Sequence, residues 1–128
     1  SLCVLDKAQN TLQWAGANNP IWIIRNGEIQ ETKPDKQAIG KIDNPHPFKT
    51  HNFKLEKEDL IYVFTDGFQD QFGGEKGKKF KLANFKKLIM SIHNEKMKKQ
   101  LEIINTSFED WRGDQEQVDD ICVIGIRI

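Results

Sequence analysis

Residues 60–65, Leu-Ile-Tyr-Val-Phe-Thr, form an unbroken apolar run that stops at Asp66-Gly67. A run this short and continuous leaves no side for water, so it reads as a strand covered on both faces and central in its sheet. The C-terminal "ICVIGIRI", residues 121–128, has the same character and is expected to be a second central strand. Two such strands need layers above and below the sheet that holds them, which restricts the chain to a layered architecture. With 128 residues, 38% of them hydrophobic, the chain is long enough for a single domain that buries roughly two thirds of its unfolded surface.

The first third alternates strand and turn signals. "SLCVLD" and "TLQWAG" flank "KAQN", while "IWIIR" and "EIQE" flank Asn26-Gly27, a pair that tolerates the left-handed positions of a tight hairpin. An antiparallel meander is the expected arrangement. Residues 33–50 hold Pro34, Pro45, Pro47 and Gly40 without any period, and predict an irregular surface excursion. "HNFKL" then alternates once more before the central run.

Beyond the glycine-rich bend the period changes. Leu82, Phe85, Leu88, Ile89 and Ile92 recur at three and four, as do Met97, Leu101, Ile104, Phe108 and Trp111. This spacing predicts two amphipathic helices separated at His93-Asn94, with Asn94 as the N-cap of the second. Helices laid on a mostly antiparallel sheet make the fold class α+β, a layered β-sandwich flanked by helices.

Composition removes several functions. Lys plus Arg and Asp plus Glu number 19 each, so no global field recruits nucleic acid or anionic lipid. No apolar stretch approaches the roughly 18 residues of a membrane span, and no signal segment opens the chain. Cys3 and Cys122 lie in apolar runs without metal spacing, which predicts buried thiols and a reducing, cytoplasmic compartment. "GGEKGKK" is not a nucleotide loop, because its glycines are too close and Lys79 stands where Ser or Thr is required. Charge is uneven locally: residues 75–99 carry nine lysines against Glu75 and Glu95, and residues 102–120 carry seven acids against Arg112. Two mutually attracting solvated faces explain this. An electropositive rim formed by Lys76, Lys78 and Lys79 is the functional alternative.

The chemistry lies at strand ends. Asp66 follows one apolar run and Asp119-Asp120 precedes the other. Each has an ordinary explanation, Asp-Gly as a turn and paired acids as loop charges. If the two strands lie antiparallel, however, these carboxylates meet at one rim, where they repel unless a cation separates them. Oxygen donors without His or Cys select a hard divalent ion, Mg or Mn. Successive strand side chains point to opposite faces, so one of Asp119 and Asp120 is a ligand and the other a support. Asp66 and Asp119 are then expected within about 6 Å of each other. His46, His51 and His93 are scattered and read as surface residues, and Cys122 reads as core rather than nucleophile. Trp14, Trp22 and Trp111 read as packing residues.

In order, "WAGANNP", "KQAIG", "EDLIYVFTDGFQDQFGG" and "VDDICVIGIRI" resemble the C-terminal part of the SpoIIE-type branch of the PPM metal-dependent serine/threonine protein phosphatases. The resemblance covers almost the whole chain. It implies a β-sandwich flanked by helices and a two-metal centre that activates water against a phosphoserine or phosphothreonine ester. Asp66 matches the aspartate of the TDG motif, with Gly67 beside it, and Asp119 the first aspartate of the DD motif, with Asp120 beside it; these four are the implied metal-site residues. Asp70 matches an acidic position without an assigned role. Gly16, Pro20 and Gly40 match scaffold positions, and Ala17 stands where the family often has His.

The family's further bridging aspartate, on an early strand, has no counterpart here, since Asp6 lies in a turn outside any such motif. The chain therefore reads as a fragment lacking an N-terminal part, with half a metal centre, at most one weakly held cation and no activity alone. Exposed sheet edges could then pair in a swapped or edge-paired homodimer. The resemblance further implies a phosphorylated protein partner in signalling, such as a regulator of anti-sigma factors. A non-catalytic binding or regulatory module on the same scaffold is the second reading, distinguished by whether the missing segment carries an Asp-Gly.

Overall fold

The strand signals of the first third resolve into two sheets rather than one meander. The computed structural model describes residues 1–128. In chain order the elements are β1 (Leu2–Asp6), β2 (Thr11–Ala15), β3 (Ile21–Arg25), β4 (Glu28–Thr32), β5 (His51–Lys54), β6 (Leu60–Phe64), α1 (Gly67–Asp70), β7 (Phe72–Gly73), β8 (Lys78–Lys79), α2 (Leu82–Ile92), α3 (Met97–Arg112) and β9 (Val123–Arg127). They divide into two units, one of Ser1–Val63 with Gly125–Ile128 and one of Phe64–Ile124.

The first unit holds a sheet ordered β1-β2-β5 and a sheet ordered β4-β3-β6-β9. The paired strands β1 with β2, β2 with β5, β3 with β4 and β3 with β6 are all antiparallel. Both predicted hairpins form. Asp6 accepts the Ala8 and Gln9 amides in the first turn at 2.9 and 3.0 Å, and Asn26-Gly27 turns the second with φ of 51° and 76°. β2 and β3 do not pair, because residues 16–20 carry the chain from one sheet to the other. Alternation then builds the sandwich: Leu12 and Trp14 from one sheet meet Ile21, Ile23 and Ile61 from the other, with Leu55, in one buried cluster. On the opposite face of the second sheet, Trp22 and Tyr62 are cross-strand neighbours and are buried too.

The LIYVFT strand is internal as expected, with β3 on one side and β9 on the other. The second central strand is not borne out. β9 lies at the sheet edge with Ile124 and Ile126 exposed, since its apolar run marks residues without fixing how many neighbours they find. Cys122 and Cys3 are both exposed, which corrects the expectation of buried thiols; Cys3 lies on the edge strand β1. Residues 33–50 contain no helix or strand, as predicted, but are tied down locally. Asp35 accepts the Lys49 amide and buried Gln37 bonds the His46 backbone twice.

In the second unit both predicted helices form. Phe85, Ile89 and Ile92 are buried on α2, and Ile104 and Phe108 on α3. Leu101, expected on the buried face, is 65% exposed, and buried Gln100 takes the inward position next to it. Gln100 donates from Nε2 to the Glu95 carbonyl at 2.7 Å and the His93 carbonyl at 3.3 Å, which holds the turn between the helices. The N-cap residue is Lys96, not Asn94, and no side chain caps it. His51 packs against Trp14 with ring centroids 5.5 Å apart and His93 contacts the Met90 carbonyl, so His46, which faces Asp35 at 3.7 Å, is the exposed histidine.

Candidate metal centre

The candidate site grows from the exit of β6. Thr65 donates its backbone N–H to the Cys122 carbonyl at 3.0 Å. Its hydroxyl donates to the Asp120 carbonyl and accepts the Cys122 N–H, both at 2.9 Å. One side chain of the TDG segment thus satisfies two backbone groups of the DD segment, 55 and 57 residues away.

Asp66 follows, half-buried at the head of α1, and its carbonyl accepts the Asp70 amide at 3.0 Å. Gly67 is required by closeness. A Cβ there would lie 2.5 Å from the Asp120 carbonyl oxygen and 2.9 Å from Ile121 Cγ1, inside van der Waals contact. A four-residue helix has little stability of its own, so α1 is held by its side chains. Phe68, 1% exposed, sits against Phe85, Phe108 and Phe80 with centroids 4.6, 5.3 and 5.1 Å away.

On the facing loop, Asp119 and Asp120 are exposed. Asp119 Oδ1 accepts the Asp120 amide at 2.7 Å, and its carbonyl accepts Gln117 Nε2 at 2.9 Å. Asp70 pairs with Lys79 of β8 at 3.2 Å, a contact that fastens the flap to α1. The flap is seated at its base, where a Cβ on Gly73 would lie 1.8 Å from the Trp111 carbonyl oxygen.

The geometry brings together the backbones that carry Asp66, Gly67, Asp119 and Asp120, and leaves their carboxylates open to solvent or partly so. No group of three or more His, Cys, Asp or Glu side chains gathers as a metal cluster. The donors are carboxylate and carbonyl oxygens, which fit Mg or Mn in type, and glycine at position 67 lets the two segments that carry them approach in direct backbone contact. Neither the Thr65 hydroxyl nor the Gln71 amide is signalled by the sequence pattern. Gln71 is wholly buried and bonds the Glu116 and Phe72 carbonyls. A single Gln between polar and apolar neighbours gives no period or motif to find it by.

Antiparallel sheets in a mixed α+β chain give a fold like that of solved PP2C-type phosphatase structures. The SiaA-PP2C domain of Pseudomonas aeruginosa matches with a TM-score of 0.85 and 28% identity, over 97% of this chain and 49% of that one. The phosphatase domain of the cell fate determinant SpoIIE from Bacillus subtilis (Mn presoaked) matches with a TM-score of 0.69 and 19% identity, over 99% of this chain and 55% of that one. The RsbU and RsbW domains of Rv1364c from Mycobacterium tuberculosis match with a TM-score of 0.68 and 18% identity, over 98% and 34%. The last two likenesses concern the fold alone. The profile of the family described as Stage II sporulation protein E (SpoIIE) matches residues 1–128, and the chain belongs to that family. It spans about half the length of the first two structures it matches. No curated protein sequence matches it.

Proposed function

We propose that these residues form part of a metal-dependent protein serine/threonine phosphatase domain acting on a phosphorylated signalling regulator. The observation that carries this reading is the junction at Thr65 and Gly67, which joins the segments bearing Asp66 and Asp119-Asp120 without a gap. Asp66 and Asp119 would hold divalent ions, Mn or Mg, with Asp120 as support and the two centres completed from outside these residues. When bound, such ions neutralise phosphate oxygens and lower the pKa of water. The chain itself supplies the carboxylates, fixes the spacing of their backbones, and offers exposed Lys76, Lys78 and Lys79 to an anionic protein surface. No side-chain nucleophile is needed. The substrate class is a phosphoserine or phosphothreonine protein of the kind that regulates anti-sigma factors, in the cytoplasm; no helix is long and apolar enough to cross a membrane. These residues alone are inactive in this reading, and the unpaired edge of β1, with Leu2 and Val4 exposed, is where a second copy could pair.

One observation favours a binding module instead: Asp119 spends one carboxylate oxygen on its neighbour's amide and no three-group cluster forms. Hydrolysis of an aryl phosphate by the full-length protein separates the two. The phosphatase reading expects activity that requires Mn or Mg and falls by at least about a hundredfold in Asp66→Asn. A folded protein without metal-dependent activity supports the module.

A further inference from the structure

We propose that Gln71 is a positioning residue for the loop that carries Asp119 and Asp120, an inference that rests on the phosphatase reading. Gln71 closes α1 and is 0% exposed. Its Nε2 donates to the Glu116 carbonyl at 2.8 Å and the Phe72 carbonyl at 3.0 Å. Its own carbonyl accepts Trp111 Nε1 and the Phe80 amide, both at 3.0 Å. One residue therefore ties the end of α1 to the acidic loop, to both strands' side of the flap and to the end of α3.

The amide is present at a cost. Gln71 Oε1 is buried and has no hydrogen-bond partner, a penalty that a methionine of similar volume would avoid. What the methionine could not do is donate to Glu116. Residues 113–122 contain no helix or strand, so their position depends on such tethers. Thr65 holds the far end at Asp120 and Cys122, and Gln71 holds the near end at Glu116, with Asp119 between the two. Asp66 and Gln71 are the N-cap and C-cap of the same four-residue helix, so one short piece, anchored by Phe68, carries one carboxylate and grips the loop that carries the others. Gln71 touches none of these carboxylates and acts through the backbone at Glu116, three residues before Asp119; contacts that orient ligands tune metal affinity.

The test is a Mn titration of the full-length protein, with free Mn followed by electron paramagnetic resonance, alongside backbone order parameters for residues 114–120. Gln71→Met is expected to weaken Mn binding by about tenfold or more and to lower loop order from about 0.85 toward 0.6. Ile89→Val, a core trimming in α2, should change neither, which separates positioning from general loosening. Should Gln71→Met fail to fold, Gln71→Asn keeps the amide but withdraws it by one methylene, and the same readings apply. Mn affinity in the Gln71 variant within twofold of the unaltered protein overturns the positioning role, whatever the loop order. Absence of Mn binding in the unaltered protein overturns the phosphatase reading and this inference with it.

Discussion

At Gly67 a single hydrogen atom stands where any other residue would collide with the Asp120 carbonyl. Gly67→Ala is expected to cost about 1–3 kcal/mol, the usual penalty of overpacking, and to push the DD segment away, read by chemical denaturation and by amide shifts at residues 119–122. Thr65→Val keeps shape but orphans the Asp120 carbonyl and the Cys122 amide, whereas Thr65→Ser should restore both bonds. A second residue-scale device lies in the other unit. Asp59, 1% exposed, receives Arg25 through Nε at 2.9 Å and Nη2 at 2.6 Å, and the Glu56 amide at 2.8 Å. Burial works to raise the Asp59 carboxyl, but the Arg25 hydrogen bonds, the Glu56 amide and the guanidinium charge outweigh it and hold the group below its ordinary 3.8. A lowered folded value contributes stability that is complete above the unfolded pKa and is lost as pH falls through the folded one. Asp59→Asn should therefore flatten the acid limb of the stability curve below about pH 4 and cost about 1–3 kcal/mol at neutral pH through the weakened charge-assisted bonds to Arg25, which keeps Glu56 and the Lys54 carbonyl as partners. Equal acid sensitivity in the variant and the unaltered protein would contradict this.

At the scale of elements, α1 is the short piece that presents Asp66 of the candidate site, and tertiary contact rather than helix propensity keeps it in place. Phe68→Ala should cost about 3–5 kcal/mol and, in a Mn titration, weaken binding even at temperatures where the protein stays folded; unchanged binding would mean that α1 holds its place without the aromatic cluster. Much of this level was legible in the sequence. The hairpins announced themselves through Asn26-Gly27 and through Asp6 with its turn, and α2 and α3 through their three-and-four spacing. What failed did so for physical reasons. Leu101 lies outward and Gln100 inward because Gln100 satisfies its amide inside the turn at Glu95 and His93. The run containing Cys122 looked central because hydrophobicity alone cannot say which side of a strand has a neighbour, and β9 has one on a single side in its sheet. α1 itself was invisible, since four residues hold no period.

At the scale of the whole molecule, the family and its α+β class could be read from the ordered motifs, and the match over residues 1–128 bears that reading out. The site was legible only in part. Aspartates at strand ends were found by pattern, but the bonds that bring their backbones together belong to Thr65 and Gln71, whose roles exist only once residues far apart in sequence meet. The balanced total charge hides a basic stretch around the flap. Reversing Lys76 and Lys78 to Glu, with Lys79 kept for its pair with Asp70, should slow association with an acidic phosphoprotein, most at low salt, and leave aryl phosphate turnover unchanged; equal slowing at every ionic strength would exclude steering. The central claim is that Asp66 and the Asp119-Asp120 loop serve one ion-binding rim. Paramagnetic broadening of amide signals during a Mn titration of the full-length protein tests it most directly. The account predicts that amides 66–68 and 119–121 broaden together and that Asp66→Asn abolishes both effects. Broadening at only one of these segments, or at neither, would contradict it.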